Sequence, residues 1–134
     1  LNVPLALHCV YDDAATACDV LEKRNVAKAH FHWYKGDGKT TERIAANGWF
    51  ISLTPDVAHE AEIRKIAAVF PLSQLMAETD GPWPHEGKFA GRMTVPSMTR
   101  DVVGEIAAIR RMDPGEAARI IYGNTVRFYG MEPA

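Results

Sequence analysis

Four short apolar runs, each followed by a stretch of helical periodicity, punctuate this chain, and that alternation limits the fold more than any other feature. The runs are Val3 to His8, Val26 to His32, Trp49 to Leu53 and Leu75 to Thr79. After the first, Ala14, Ala17, Cys18 and Leu21 recur at helical spacing behind the candidate caps Asp12 and Asp13. The second leads through Gly36-Asp37-Gly38 to a helix that Thr40 or Thr41 caps and that Asn47-Gly48 ends in a left-handed turn. Asp56 opens a third helix, with Ala61, Ile63, Ile66, Ala67 and Phe70 on or near one stripe, stopped before Pro71. Beyond a loop holding Pro82, Pro84, Gly87, Gly91 and Pro96, an amphipathic helix spans Ser97 to Met112. Asp113-Pro114 opens another to about Tyr122, and a last short helix covers Asn124 to Tyr129. Strands separated by helices pair in parallel through right-handed crossovers. The expected fold is therefore α/β, a parallel (βα)4 sheet with extra carboxy-terminal helices.

A length of 134 residues suits one domain, and 47% hydrophobic with 24% charged residues is ordinary for a globular protein. The formal net charge of -2 gives no whole-chain basic field pointing to nucleic acid. It does not exclude a nucleic-acid substrate, because a metal neutralises the phosphate under attack. No apolar run reaches the roughly 18 residues of a membrane span. The opening LNVPLALHCV lacks the basic start and cleavage site of a signal peptide. Cys9 and Cys18 fit no disulfide scaffold and read as reduced, small buried hydrophobes in a cytoplasmic protein.

Polar residues gather where the runs end. Functional groups in α/β sheets collect at the carboxyl ends of strands. His8 ends the first run, His32 the second, and Asp80 follows the fourth. Two imidazoles and a carboxylate on one rim are ligands for zinc, manganese or iron, and a metal there lowers the pKa of bound water and polarises a phosphoryl or carbonyl oxygen. The same three residues also fit hydrogen-bonded structural roles. Strand alternation puts Glu78 on the face of Asp80 and His30 on the face of His32, with His30 deeper. His32 is the preferred ligand. Glu78 is either a supporting acid or a salt-bridged strand residue. Trp33 and Tyr34 line a pocket or pack in the core. His59 is expected on a solvated helix face and His85 in a solvent-exposed loop. No Ser-His-Asp order, P-loop or GxGxxG is present.

Taken in order, His32-Trp33-Tyr34-Lys35-Gly36, Gly48-Trp49-Phe50-Ile51-Ser52, Glu78-Thr79-Asp80-Gly81-Pro82 and Gly123 to Gly130 (GNTVRFYG) resemble the second half of a TatD-type metal-dependent hydrolase. The likeness runs through essentially the whole chain, and E-T-D-G-P is its sharpest element. It implies half of a (β/α)8 TIM barrel of the amidohydrolase type and metal-dependent DNase activity, often exonucleolytic, on phosphodiester bonds. Carried over, His8, His32 and Asp80 match metal ligands, Asp80 also handling the attacking water, and Glu78 matches the supporting acid of E-T-D. The implied cofactors are divalent ions (zinc, magnesium or manganese), two in a complete family member and at most one well held here.

Two departures matter. Cys9-Val10 stand after His8 where the family often has Ser-Arg, so a substrate-facing arginine is missing. The family's first-strand H-x-H and the glutamate that bridges two metals are absent, and His30-Phe31-His32 aligns with a different strand. The chain thus starts where the family's fifth strand would be. A full barrel needs about 250 residues. Residues 1–134 are expected to be one domain, the carboxy-terminal half of such a barrel and a fragment of it. Its partners are then DNA or another phosphodiester, together with a missing amino-terminal half or a second half-barrel, and no membrane. The isolated chain should bind metal weakly and hydrolyse little. The alternatives are a related amidohydrolase acting on a small ester, lactone or amide, and a non-catalytic assembly module.

Overall fold

The computed structural model describes residues 3–132. Its sheet has four strands, β1 (Leu5–Leu7), β2 (Ala29–Phe31), β3 (Phe50–Leu53) and β4 (Leu75–Ala77), all parallel and in chain order. Helices α1 (Asp12–Lys23), α2 (Gly38–Ala46) and α3 (Ala61–Val69) join them, and α4 (Thr99–Arg110) and α5 (Pro114–Tyr129) follow. The (βα)4 reading holds, with strands shorter than the apolar runs because their ends turn out of the ladder.

The pleat divides the strand residues between two surfaces. Phe31, Ile51, Leu53 and Leu75 belong to the main core with Cys18, Ile44, Ile63 and Ile106 from the helices. On the other face, Ala6, His30, Ser52 and Met76 line a hollow of about 310 Å³ with His32 and Glu78 at its rim and Tyr129 of α5 against it. A sheet with both faces in use keeps its few polar residues satisfied by each other, which is the basis of the site below.

Local chemistry moved several boundaries. Asp37, rather than Thr40 or Thr41, caps α2, its carboxylate accepting the Thr40 N–H at 2.8 Å. Asp12 and Asp13 lie in the first turn of α1, where they favour the helix dipole without capping it. The stretch from Asp56 breaks at His59 and Glu60 into a 3-10 turn (Pro55–Ala58) and α3. Asp113 caps α5 as expected, accepting the Glu116 N–H at 2.9 Å. The two final helices are a single one, α5, which runs through Gly123 to a left-handed Gly130. Packing outweighs the roughly 1 kcal/mol that an interior glycine costs. The side-chain amide of buried Asn124 donates to the carbonyls of Leu72 and Leu75, both at 2.7 Å, and so fastens α5 to the start of β4. Asn124→Ala leaves both carbonyls without that donor. It should cost about 2–3 kcal/mol, read as a lowered urea midpoint; an unchanged midpoint would show that the clasp carries no weight.

Cys18 is buried, and burial above all pushes its thiol up to about 11, an inert hydrophobe as expected. Cys9 is half-buried against the core, its thiol raised by burial and then by Asp13, and both cysteines are free. Among the described residues no helix is long and apolar enough to cross a membrane.

Candidate metal centre

Three of the four ligand-bearing positions converge at the carboxyl ends of the strands. One donor atom each from His32, Glu78 and Asp80 lies within 4.8 Å of the others. His8 joins through His32, its Nδ1 being 2.9 Å from His32 Nε2. His32 and Glu78 each follow their strand directly, β2 and β4, and Asp80 stands two residues beyond Glu78. Strand alternation is not what brings the two acids together, because β4 ends at Ala77. Asp80 adopts φ 47° and closes back toward His32 through the left-handed region. That conformation is costly for a residue with a Cβ and collects at functional sites.

Glu78 organises the rest. Its Oε1 accepts the backbone N–H of Trp33 at 2.6 Å and a short bond from the Ser52 hydroxyl, while His32 Nδ1 lies 3.4 Å from its Oε2. Donor and acceptor inventories then fix directions. The Ser52 proton points at the carboxylate, so Ser52 Oγ accepts from His30 Nε2–H at 2.6 Å, and His30 Nδ1 accepts the Tyr129 hydroxyl at 2.8 Å. A continuous relay runs from α5 to the acid at the rim. On the other side, His32 Nδ1–H directed at Glu78 leaves Nε2 unprotonated and facing His8 Nδ1. The imidazoles of His8 and His32 with the carboxylates of Glu78 and Asp80 are a donor set that fits a divalent cation of the zinc or manganese kind. Glu78 is therefore both a supporting acid for His32 and close enough to be a ligand.

The relay requires neutral His30. Burial, and then the neighbouring His32, lower its pKa to about 4. The unfolded chain protonates it near 6.5 and the folded chain only near 4. Its contribution to stability is therefore complete above about 6.5 and is lost as pH falls toward 4. Acidification from pH 7 to 4 should remove about 2–3 kcal/mol through this residue. His30→Asn should flatten that part of the pH profile of thermal unfolding; an identical slope in the variant would place the titration elsewhere.

His30 is thus not a candidate ligand, since both of its nitrogens are committed. His59 is exposed, as expected, though it lies between the 3-10 turn and α3. Tyr34 is core, while Trp33 is half-buried and packs edge-on against exposed Trp83 at 5.2 Å. The expectation for His85 is overturned. It is 3% exposed, because its ring nitrogens are drawn inward by Asp56 Oδ1 and the Thr79 carbonyl, each at 2.7 Å. A second group, Asp56, His59 and Glu60, also brings donor atoms together. Asp56 is engaged by His85 and Trp33, and Glu60 by Lys35 at 3.0 Å, so that group is spoken for. Sequence reasoning missed Ser52, Asp56 and Tyr129. Ser52 left a faint signal as a hydroxyl inside an otherwise apolar strand; Tyr129 left none, being far off in sequence.

Comparison with known proteins shows which family carries this fold. A metal-dependent hydrolase of uncharacterised role from Haemophilus influenzae is 34% identical over 128 residues, 96% of this chain and 50% of that protein. A 3'-5' ssDNA/RNA exonuclease TatD from Erwinia tasmaniensis is 26% identical over 140 residues, 98% of this chain and 54% of that protein. The crystal structure of YjjV, a TatD homologue of Escherichia coli, superposes with a TM-score of 0.86 at 23% identity, covering 96% of this chain and 51% of that one. The chain spans about half the length of the curated relatives it matches, and its four-stranded parallel sheet is the corresponding half of a TatD-type TIM barrel. The profile of the TatD related DNase family matches residues 1–130, and the chain belongs to that family.

Proposed function

We propose that this chain supplies one side of the divalent-metal centre of a TatD-type hydrolase that cuts phosphodiester bonds of DNA, the other side coming from an amino-terminal half-barrel or a second copy. The convergence of His32, Glu78 and Asp80 within 4.8 Å, with His8 beside them, carries this reading. The exonuclease named among the relatives supports the nucleic-acid substrate. His8 Nδ1 or Nε2, His32 Nε2 and a carboxylate oxygen of Asp80 would hold the ion. When bound, such an ion supplies a water of lowered pKa and a Lewis acid for a phosphoryl oxygen. Asp80 would orient that water and take its proton on a carboxylate oxygen. Glu78 would hold the His32 ring through Nδ1 and leave Nε2 for the ion. Ser52 and the Trp33 N–H in turn hold Glu78.

The test uses the purified chain alone, and the chain paired with the amino-terminal half of the Haemophilus relative, each with Mn2+ or Mg2+. A 5'-labelled single-stranded oligonucleotide should be shortened from its 3' end by the paired form, with little cleavage by the chain alone. Vigorous metal-dependent cleavage by the 134-residue chain would contradict the half-site reading. Hydrolysis of small esters or lactones with DNA untouched would favour the amidohydrolase alternative. No metal binding in either form would leave an assembly module.

A further inference from the structure

The side chain of His85 is wholly shut off from solvent, and both atoms that meet its ring are acceptors. Thr79 O is a carbonyl and donates nothing. Asp56 Oδ1 belongs to a carboxylate whose other oxygen accepts Trp33 Nε1–H at 2.9 Å and lies 3.7 Å from Lys35 Nζ. Burial alone would raise the Asp56 carboxyl, but hydrogen bonds from His85 and Trp33 outweigh it and hold it below the usual carboxylate range. A neutral imidazole has one N–H and cannot serve two acceptors.

The two ends of this pair reach different turns. His85 grips the carbonyl of Thr79, the residue between Glu78 and Asp80. Asp56 grips the indole of Trp33, the residue after His32, whose own N–H holds Glu78. Asp80 sits at φ 47°, and further along its loop the Trp83 N–H donates to Asp80 O at 3.0 Å. Asp56 lies on the 3-10 turn after β3, a strand that brings no ligand to the rim. The charged groups around the pair are Lys35 from the β2–α2 loop, Glu60 and His59 before α3, and Glu86 beside His85.

We propose that Asp56 and a doubly protonated His85 form a buried ion-pair clamp that holds the His32 turn and the Asp80 turn in register, making both positioning residues of the metal centre. The protonation state and the clamp stand on hydrogen-bond chemistry; only the consequence for catalysis rests on the metal-centre reading above. No family motif quoted for this chain contains either residue.

The clamp is tested without metal or activity. In the full chain labelled with 15N-histidine, both His85 ring nitrogens should resonate as protonated N–H at neutral pH. In Asp56→Asn one of them should become pyridine-like, since an amide can donate to it. In His85→Gln, the amide protons of Trp33 and Trp83 should exchange faster by about tenfold or more, the scale of one lost charge-assisted hydrogen bond, while the Phe31 and Ile51 amides keep their protection. A pyridine-like nitrogen on His85 in the native chain would overturn the ion pair. Unchanged exchange at both turns in His85→Gln would overturn the clamp. Should His85→Gln fail to fold, Asp56→Asn with the same exchange measurement decides it. A metal-free chain that passes these tests but binds no Mn2+ would sink the proposed function and leave the clamp standing.

Discussion

Asp80→Asn is expected to lower metal-dependent DNA cleavage by the paired half-barrels about a thousandfold, in the range of lost general-base catalysis, while leaving the melting temperature of the chain almost unchanged. The two halves of that expectation have separate causes. Asparagine is among the few residues besides glycine that accept the left-handed backbone seen at Asp80, so the turn survives. What disappears is the negative charge, and with it the proposed ligand and the proposed acceptor for the proton of the attacking water. Loss of activity with a matching loss of stability would mean that Asp80 is structural. Cleavage within tenfold of the parent would remove it from the mechanism.

Phe31→Ala is expected to have the largest effect on folding. Phe31 is wholly buried at the carboxyl end of β2, paired to Leu7 on one side and Ile51 on the other, and its ring packs edge-on against Tyr34 at 6.2 Å and at a tilt against Trp49 at 6.1 Å. Truncation removes about 3–5 kcal/mol through lost transfer and an unfilled cavity. Domains commonly hold only about 5–15 kcal/mol in all. A four-stranded sheet whose edges pair with nothing among the described residues belongs at the lower end of that range, so the variant should be largely unfolded at 37 °C by circular dichroism. A cooperative melt close to that of the parent would show that the cavity collapses and that the core is less tightly built than it looks.

What could be read from the residues alone follows a physical line. Alternating periodicities gave the four strands and their parallel order, because each period reports directly on burial. The strand ends gave His8, His32 and Asp80, because a rim is where an apolar strand may finish on a polar side chain. Long-range pairing was not legible. Ser52, Tyr129 and His30 form one relay only because α5 returns across the sheet, and nothing in a strand's own pattern announces that. His85 misled for a related reason. A histidine among prolines and glycines looks solvated, but two buried acceptors, one of them a backbone carbonyl, supply the partners that burial demands. Glu78 fell between these cases: its position was legible, whereas its bonds to Trp33 N–H and Ser52 were not.

The most direct test of the central claim is a Mn2+ titration of the chain followed by NMR of its histidine rings. Paramagnetic broadening reports proximity even where binding is weak, as expected for half a site. The His8 and His32 rings should broaden first and together, with His30 and His85 following at higher occupancy and exposed His59 broadening no more than bulk Mn2+ requires, and Asp80→Asn should move the response to much higher Mn2+. Rings of His8 and His32 that stay as sharp as that of His59 at every Mn2+ concentration would contradict a metal centre on this rim.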